Sequence, residues 1–151
     1  MRIEVRDYAH PDVVKLVAEV QQEYVVRYGG FDETPVDPTE FTHPSGLFLV
    51  GYLDDVPVAS GGWRVHDPET VEMKRLYVTP AARGRGLARA MLAELERVAI
   101  AGGYRKLILE TGLKQPEAVE LYLSSGYDTI EPFGFYADAP LARHLGKILT
   151  P

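Results

Sequence analysis

Lys74, Arg75, Arg83, Arg85 and Arg89 crowd into the segment Val71 to Leu92, VEMKRLYVTPAARGRGLARAML, where Glu72 is the only acid. The chain as a whole carries a formal net charge of -6, so this cationic island calls for a local ligand. The segment reads as a strand, a tight turn and a helix start. Backbone amides that converge at a helix N-terminus receive anions, and a phosphate-bearing small molecule is the expected guest. Small residues at Gly84, Gly86 and Ala88 let the backbone approach a phosphate closely, and glycine also accepts a positive φ. The helix dipole adds about 0.3–1 kcal/mol and each charge-assisted bond about 1.5–3 kcal/mol, so several together hold a pyrophosphate. A Gly-x-Gly turn alone is also a common turn with solvated arginines. Two other phosphate loops do not fit: a Walker loop ends in Gly-Lys-Ser/Thr where this one has Gly86-Leu87-Ala88, and a dinucleotide fingerprint needs a third glycine and a downstream acid.

The elements that must hold this turn follow from periodicity. Ile3 and Val5 alternate with charges over residues 2 to 7 and predict a strand. Pro11 and Asp12 open a helix with Val13, Leu16, Val17, Val20 and Tyr24 on one face, ending at Gly29-Gly30. A proline- and acid-rich stretch from Phe31 to Ser45 then predicts a loop with a short helix inside. Gly46 to Tyr52 and Val56 to Arg64, separated by Asp54-Asp55, read as a hairpin, and a turn at His66-Asp67-Pro68 leads to a third strand, Val71 to Val78. Three consecutive strands imply an antiparallel meander. Leu87, Met91, Leu92, Leu95 and Val98 switch the pattern to a helix stopped by Gly102-Gly103. Arg105 to Thr111 is the next strand, expected to pair in parallel through the helical crossover. A helix from Pro116 to Gly126 and short strands at Tyr127–Glu131 and Leu145–Leu149 complete a mixed α/β, or α+β, fold.

With 151 residues, 46% hydrophobic and 25% charged, the chain is expected to form one domain over residues 1–151 with a core of its own. It has no cysteine, which excludes disulfides, thiolate metal sites and cysteine nucleophiles. The N-terminal MRIEVRDYAH lacks an apolar signal region and no segment is apolar enough to span a bilayer, so a cytoplasmic location is expected. Net acidity argues against nucleic acid and membrane surfaces as partners. Nothing in the residue pattern decides whether the chain forms a homodimer.

The run ETVEMKRLYVTPAARGRGLARAML, followed by ILETG and AVELYLSSGY, resembles the GNAT superfamily of acyl-CoA-dependent N-acetyltransferases across Gly61 to Tyr127. The resemblance implies a central twisted sheet flanked by helices and splayed between its fourth and fifth strands, with acetyl-CoA in the opening and no metal. It also implies that amides across Arg83, Gly84, Arg85, Gly86, Leu87 and Ala88 hold the pyrophosphate, with Arg83, Arg85 and Arg89 as added charges. The pantetheine arm would lie along Leu76, Tyr77 and Val78. Gln115 stands where the family often has asparagine. The reaction implied is direct transfer of an acetyl group to a primary amine of a small molecule or peptide; a module that keeps the acyl-CoA pocket without catalysis is the alternative.

Such a transfer needs a proton acceptor for the amine, a donor for the developing oxyanion and an acid for the departing thiolate. Tyr122 alone reads as a packing residue beside a helical stripe, but it occupies the tyrosine of the family pattern formed by Ala118, Leu121, Tyr122, Gly126 and Tyr127, which assigns it the acid. Glu72 is either the proton acceptor or a strand carboxylate paired with Lys74 or Arg75. A backbone N–H near Leu76 or Tyr77 is the expected oxyanion donor. The acceptor would meet the acidic segment Phe31 to Ser45, favouring a cationic amine, and the aromatic loop Pro132 to Pro140, where Phe133, Phe135 and Tyr136 could cover its apolar part.

Overall fold

The computed structural model describes residues 1–150. Seven strands, β1 (Arg2–Val5), β2 (Gly46–Leu53), β3 (Val56–Asp67), β4 (Thr70–Val78), β5 (Lys106–Gly112), β6 (Asp128–Thr129) and β7 (Ala142–Ile148), form one sheet in the order β1-β2-β3-β4-β5-β7-β6. Every pairing is antiparallel except β4 with β5, where the intervening helix makes the crossover. The meander and the single parallel step are those the periodicity predicts.

Helices cover both faces. On one, α1 (Pro11–Tyr28) buries Val13, Leu16 and Val20 against Phe41, Phe48, Val50, Tyr52 and Tyr77. His10 caps its start by accepting the Asp12 N–H on Nδ1 at 3.1 Å, Pro11 needs no partner for the hydrogen it lacks, and Gly29 at φ 81° ends it. On the other face, α2 (Leu87–Ala101) buries Met91, Leu92, Leu95 and Ala99, and α3 (Pro116–Ser124) buries Tyr122. Trp63 locks α2 to the sheet, its Nε1 donating to the Leu95 carbonyl at 3.1 Å. Each fully buried aliphatic side chain contributes about 1.5–3 kcal/mol, so both layers hold the sheet rigid beneath the site.

Four strands depart from the sequence expectation by two residues or more. β1 stops at Val5 because Asp7 turns the chain, its carboxylate accepting the Ala9 N–H at 2.8 Å. β3 runs on to Asp67, since Val65 pairs Val71 and Asp67 pairs Thr70, which moves the turn to Pro68 and Glu69. β6 shrinks to Asp128–Thr129. β7 begins at Ala142, not Leu145, because Arg143 and His144 continue the ladder opposite Thr111 and Glu110 although their polarity hides it. Among the described residues no helix is long and apolar enough to cross a membrane, and no set of His, Asp and Glu converges as a metal site.

Candidate functional site

The sheet opens at its centre. β4 and β5 pair only at Thr70–Lys106, Val71–Leu107 and Glu72–Ile108 and then diverge. The cause lies on the other edge of β4, where Gly61 of β3 faces both Arg75 and Leu76 between the pairs Gly62–Lys74 and Ser60–Tyr77. Arg75 takes φ 63°, and the buried Ser60 hydroxyl donates to its carbonyl at 2.9 Å. A bulge of this kind bends its strand and adds twist, which turns β4 away from β5.

A cavity of about 240 Å³ fills the opening. One wall is apolar and amide-rich, formed by Met73, Leu76, Ala118, Tyr122 and the α3 cap Gln115, whose Oε1 accepts the Tyr28 hydroxyl hydrogen at 3.2 Å. Tyr122 packs edge-on to Tyr127 and is 6% exposed, and its hydroxyl has no hydrogen-bond partner among the described residues. Burial pushes that phenol well above its ordinary value, and the same holds for Tyr24 across the cavity. Both are therefore neutral hydrogen-bond donors. The sequence pattern places Tyr24 only in the apolar stripe of α1, because β4, β5 and α3, with which it lines the cavity, are remote in sequence.

The opposite wall is charged. Lys74 Nζ donates to Asp32 Oδ2 at 2.9 Å and lies 3.5 Å from Glu110, and the Arg75 guanidinium meets the same Asp32 oxygen. Burial alone would raise the Asp32 pKa, but Lys74 and Arg75 outweigh it and hold the carboxyl far below its ordinary 3.8. A depressed folded value stabilises the fold above the unfolded pKa near 3.8, and that contribution disappears as pH falls through the folded value. Denaturant titrations at decreasing pH are expected to show this contribution declining progressively as pH falls below about 3.8, and Asp32→Asn abolishing it. Glu110, by contrast, is held above its ordinary value by burial, with Asp32 and Glu72 adding to the rise and Lys74 opposing it. Its Oε2 stands 3.8 Å from His144 Nε2, a buried nitrogen without a hydrogen-bond partner.

This arrangement redistributes the residues that the sequence singled out. Glu72 does not line the cavity: its Oε1 accepts from Arg64 Nε at 3.0 Å, and Arg64 also binds Glu40. Its ion partner is thus on the neighbouring strand and is neither Lys74 nor Arg75. Glu110, the acid inside the run RKLILET, takes the place at the cavity, and a carboxylate at the end of an otherwise apolar strand is the signal that marks it in the sequence. The acidic segment is largely neutralised, with Asp32 and Glu40 in ion pairs and Asp37 capping the short 3₁₀ turn Pro38–Phe41. Of the loop aromatics only Tyr136 lines the cavity, its hydroxyl accepting the Glu33 N–H at 2.7 Å, whereas Phe133 packs between His66 and His144. Tyr77 points to α1, and its hydroxyl donates to Glu19 at 3.1 Å; burial, helped by that carboxylate, pushes it up to about 12.

The glycine turn lies beyond the end of β4, after Val78. Gly84 and Gly86 take φ 79° and 74°, and a Cβ at either would meet nothing within 4 Å, so conformation and not crowding demands glycine there. Gly86 is the cap of α2 without a side-chain cap bond, and the first backbone bond of the helix start is Ala90 N–H to Gly86 carbonyl. Among the described residues the amides of Gly84 through Arg89 find no protein acceptor, and the turn is solvent-facing. The arginines divide. Arg83 chelates Glu23 with both oxygens at 2.9 Å and donates to the Val78 carbonyl, and Arg89 bridges to Ser124 and Ser125, which ties α1 and α3 to the turn. Arg85 alone of the three extends without a side-chain partner among the described residues.

A protein from Azospirillum brasilense named IAA acetyltransferase is 31% identical over 138 residues, covering 91% of this chain and 90% of its own. A Klebsiella pneumoniae structure described as an acyl-CoA N-acyltransferase superposes with a TM-score of 0.81 at 28% identity, covering 99% and 97%. A Thermoplasma acidophilum PaiA N-acetyltransferase solved with coenzyme A shares the fold at a TM-score of 0.74 and 14% identity, covering 98% and 99%. The model of the acetyltransferase (GNAT) family matches residues 15–127, which takes in the bulge, the glycine turn and α3 alike. With a sheet opened at β4 and β5, free amides at the following helix and these relatives, the chain belongs to the GNAT family of N-acetyltransferases and is an acyltransferase.

Proposed function

We propose that the protein transfers an acetyl group from acetyl-CoA to the primary amine of a small molecule. The observation that carries this reading is the continuity from the open amides of Gly84 to Arg89, along the unpaired edge of β4, to a cavity with a neutral phenol on one side and a carboxylate on the other. The diphosphate would bind those amides, with Arg85 as added charge, and the pantetheine arm would follow Leu76, Tyr77 and Val78 to the cavity, beside Gln115.

The reaction is one displacement. The amine nitrogen attacks the thioester carbonyl, the carbonyl oxygen becomes an oxyanion facing a backbone N–H at the Leu76 bulge, and the carbon–sulfur bond breaks as the oxyanion collapses. The amine gives its proton to Glu110, directly or through water, and we assign that role to Glu110 in place of Glu72 because only Glu110 borders the cavity. Tyr122 donates a hydrogen bond to the departing thiolate. A thiol sits near ~8.5 and an ordinary phenol near ~10, so a phenol raised further by burial keeps its proton and stabilises the sulfur by hydrogen bonding.

Thiol release with acetyl-CoA across an amine panel tests the activity: turnover of at least one amine supports it, and acetyl-CoA binding without any turnover refutes it. Glu110 adds a pH signature. Because its pKa is raised, the rate is expected to fall as pH drops through a value above 4.5, and Glu110→Gln is expected to lose about 100-fold in kcat together with that acid limb. A limb that persists unchanged in Glu110→Gln belongs to another group.

A further inference from the structure

The charged wall has more hydrogen-bond donors than the protein accepts. An ammonium carries three N–H bonds and a guanidinium five, yet Lys74 and Arg75 both direct a hydrogen bond at the same oxygen, Asp32 Oδ2, and the buried Arg75 Nε has no partner at all. Both side chains are 4% exposed and both border the cavity. The second Asp32 oxygen is already taken by the Thr34 N–H at 3.0 Å. Buried donors without acceptors are costly, and an arginine fork matches a carboxylate in shape and charge. Two carboxylates of the acidic segment that could attract a polycation are committed instead, Asp32 to this pair and Glu40 to Arg64.

We infer that the acceptor amine also carries a carboxylate, and that its simplest form is a free amino acid. The inference rests on the acetyl-transfer reading and names the substrate class of that same cavity. The acceptor's carboxylate is received at Arg75 and Lys74, and its amine faces Glu110, so the zwitterion sets each of its charges against the opposite one. Its net charge is zero, and so it leaves the balance of Lys74 and Arg75 against Asp32 and Glu110 undisturbed. Arg75 sits at the bulge beside Leu76, which places the anchored acceptor next to the backbone N–H assigned to the oxyanion.

The test measures thiol release from acetyl-CoA for the standard amino acids, each beside the amine that lacks only its carboxylate, such as phenylalanine with phenethylamine and leucine with isoamylamine, and with spermidine as a polycation. The expected result is an amino acid preferred over its amine by about 100-fold or more in kcat/KM, since a site built to hydrogen-bond a polar group rejects the analogue without it by up to about 10⁴–10⁵-fold. Arg75→Lys is expected to raise KM for that amino acid about tenfold and to leave KM for acetyl-CoA within about twofold. With coenzyme A present, the amino acid raises Tm of the unaltered protein and its amine does not. Equal turnover of amino acid and amine, or preference for spermidine, overturns the carboxylate inference and leaves acetyl transfer standing. Failure of every arm to release thiol overturns the transfer reading and the inference with it.

Discussion

Tyr122→Phe lowers kcat by about 100-fold or more while KM for acetyl-CoA changes by less than about twofold. The expectation rests on the proposed O–H donor to the leaving sulfur: no described group bonds that hydroxyl, so in the variant the ring stays packed against Tyr127 and only that hydrogen bond disappears. A donor that acts on charge appearing during the reaction affects kcat and leaves ground-state binding alone. Burial raises the phenol, so no rate limb from its ionisation appears in the neutral range, and the variant keeps the pH profile of the parent with a lower plateau. Tyr24→Phe serves as the comparison, since that phenol also borders the cavity and is raised in the same way. If Tyr24→Phe carries the loss and Tyr122→Phe turns over normally, the hydrogen bond comes from α1 and the assignment to α3 is wrong.

Gly86→Asn weakens coenzyme A binding by about 100-fold with little change in Tm. The residue choice follows from the backbone. At φ 74° a valine would strain the turn and unfolding would confound the result, whereas asparagine is among the residues that best tolerate this conformation. Its side chain projects into space where a Cβ meets no protein atom within 4 Å, the space that the proposed diphosphate needs to reach the amides of Leu87, Ala88 and Arg89. Loss of two charge-assisted bonds at about 1.5–3 kcal/mol each gives at least this factor. Calorimetry with coenzyme A measures it, and Arg85→Gln, which removes one exposed charge, is expected to cost less than tenfold. Affinity unchanged in Gly86→Asn would place the diphosphate elsewhere.

The succession of strands and helices was legible because both faces of the sheet are covered. Alternation in β1, the stripe of Leu87, Met91, Leu92 and Leu95 in α2, and the glycine stops after α1 and α2 each follow from local spacing. Ends are hidden where polar residues continue a ladder, as Arg143 and His144 do in β7, because an exposed Arg143 and a His144 buried beside Glu110 interrupt the apolar alternation. The glycine turn was legible for the same local reason, a positive φ that few other residues accept. Which of two carboxylates borders the cavity was not. Glu72 and Glu110 stand in neighbouring strands and their residue types are identical; only the end of the β4–β5 pairing at Glu72 and Ile108 separates the carboxylate bound to Arg64 from the one that borders the opening.

The sequence by itself determined the order of elements, the family and a cationic turn with room for a phosphate, since each rests on contacts within a few residues or on a motif read along the chain. Tertiary structure alone decided which charges remain available. Asp32 folds over Lys74 and Arg75 from more than forty positions away, Arg83 turns to Glu23, and the left-handed Arg75 bends β4 so that the sheet parts. Electrostatic character at a site is a sum over neighbours brought together by register and packing, and composition along the chain does not carry that sum.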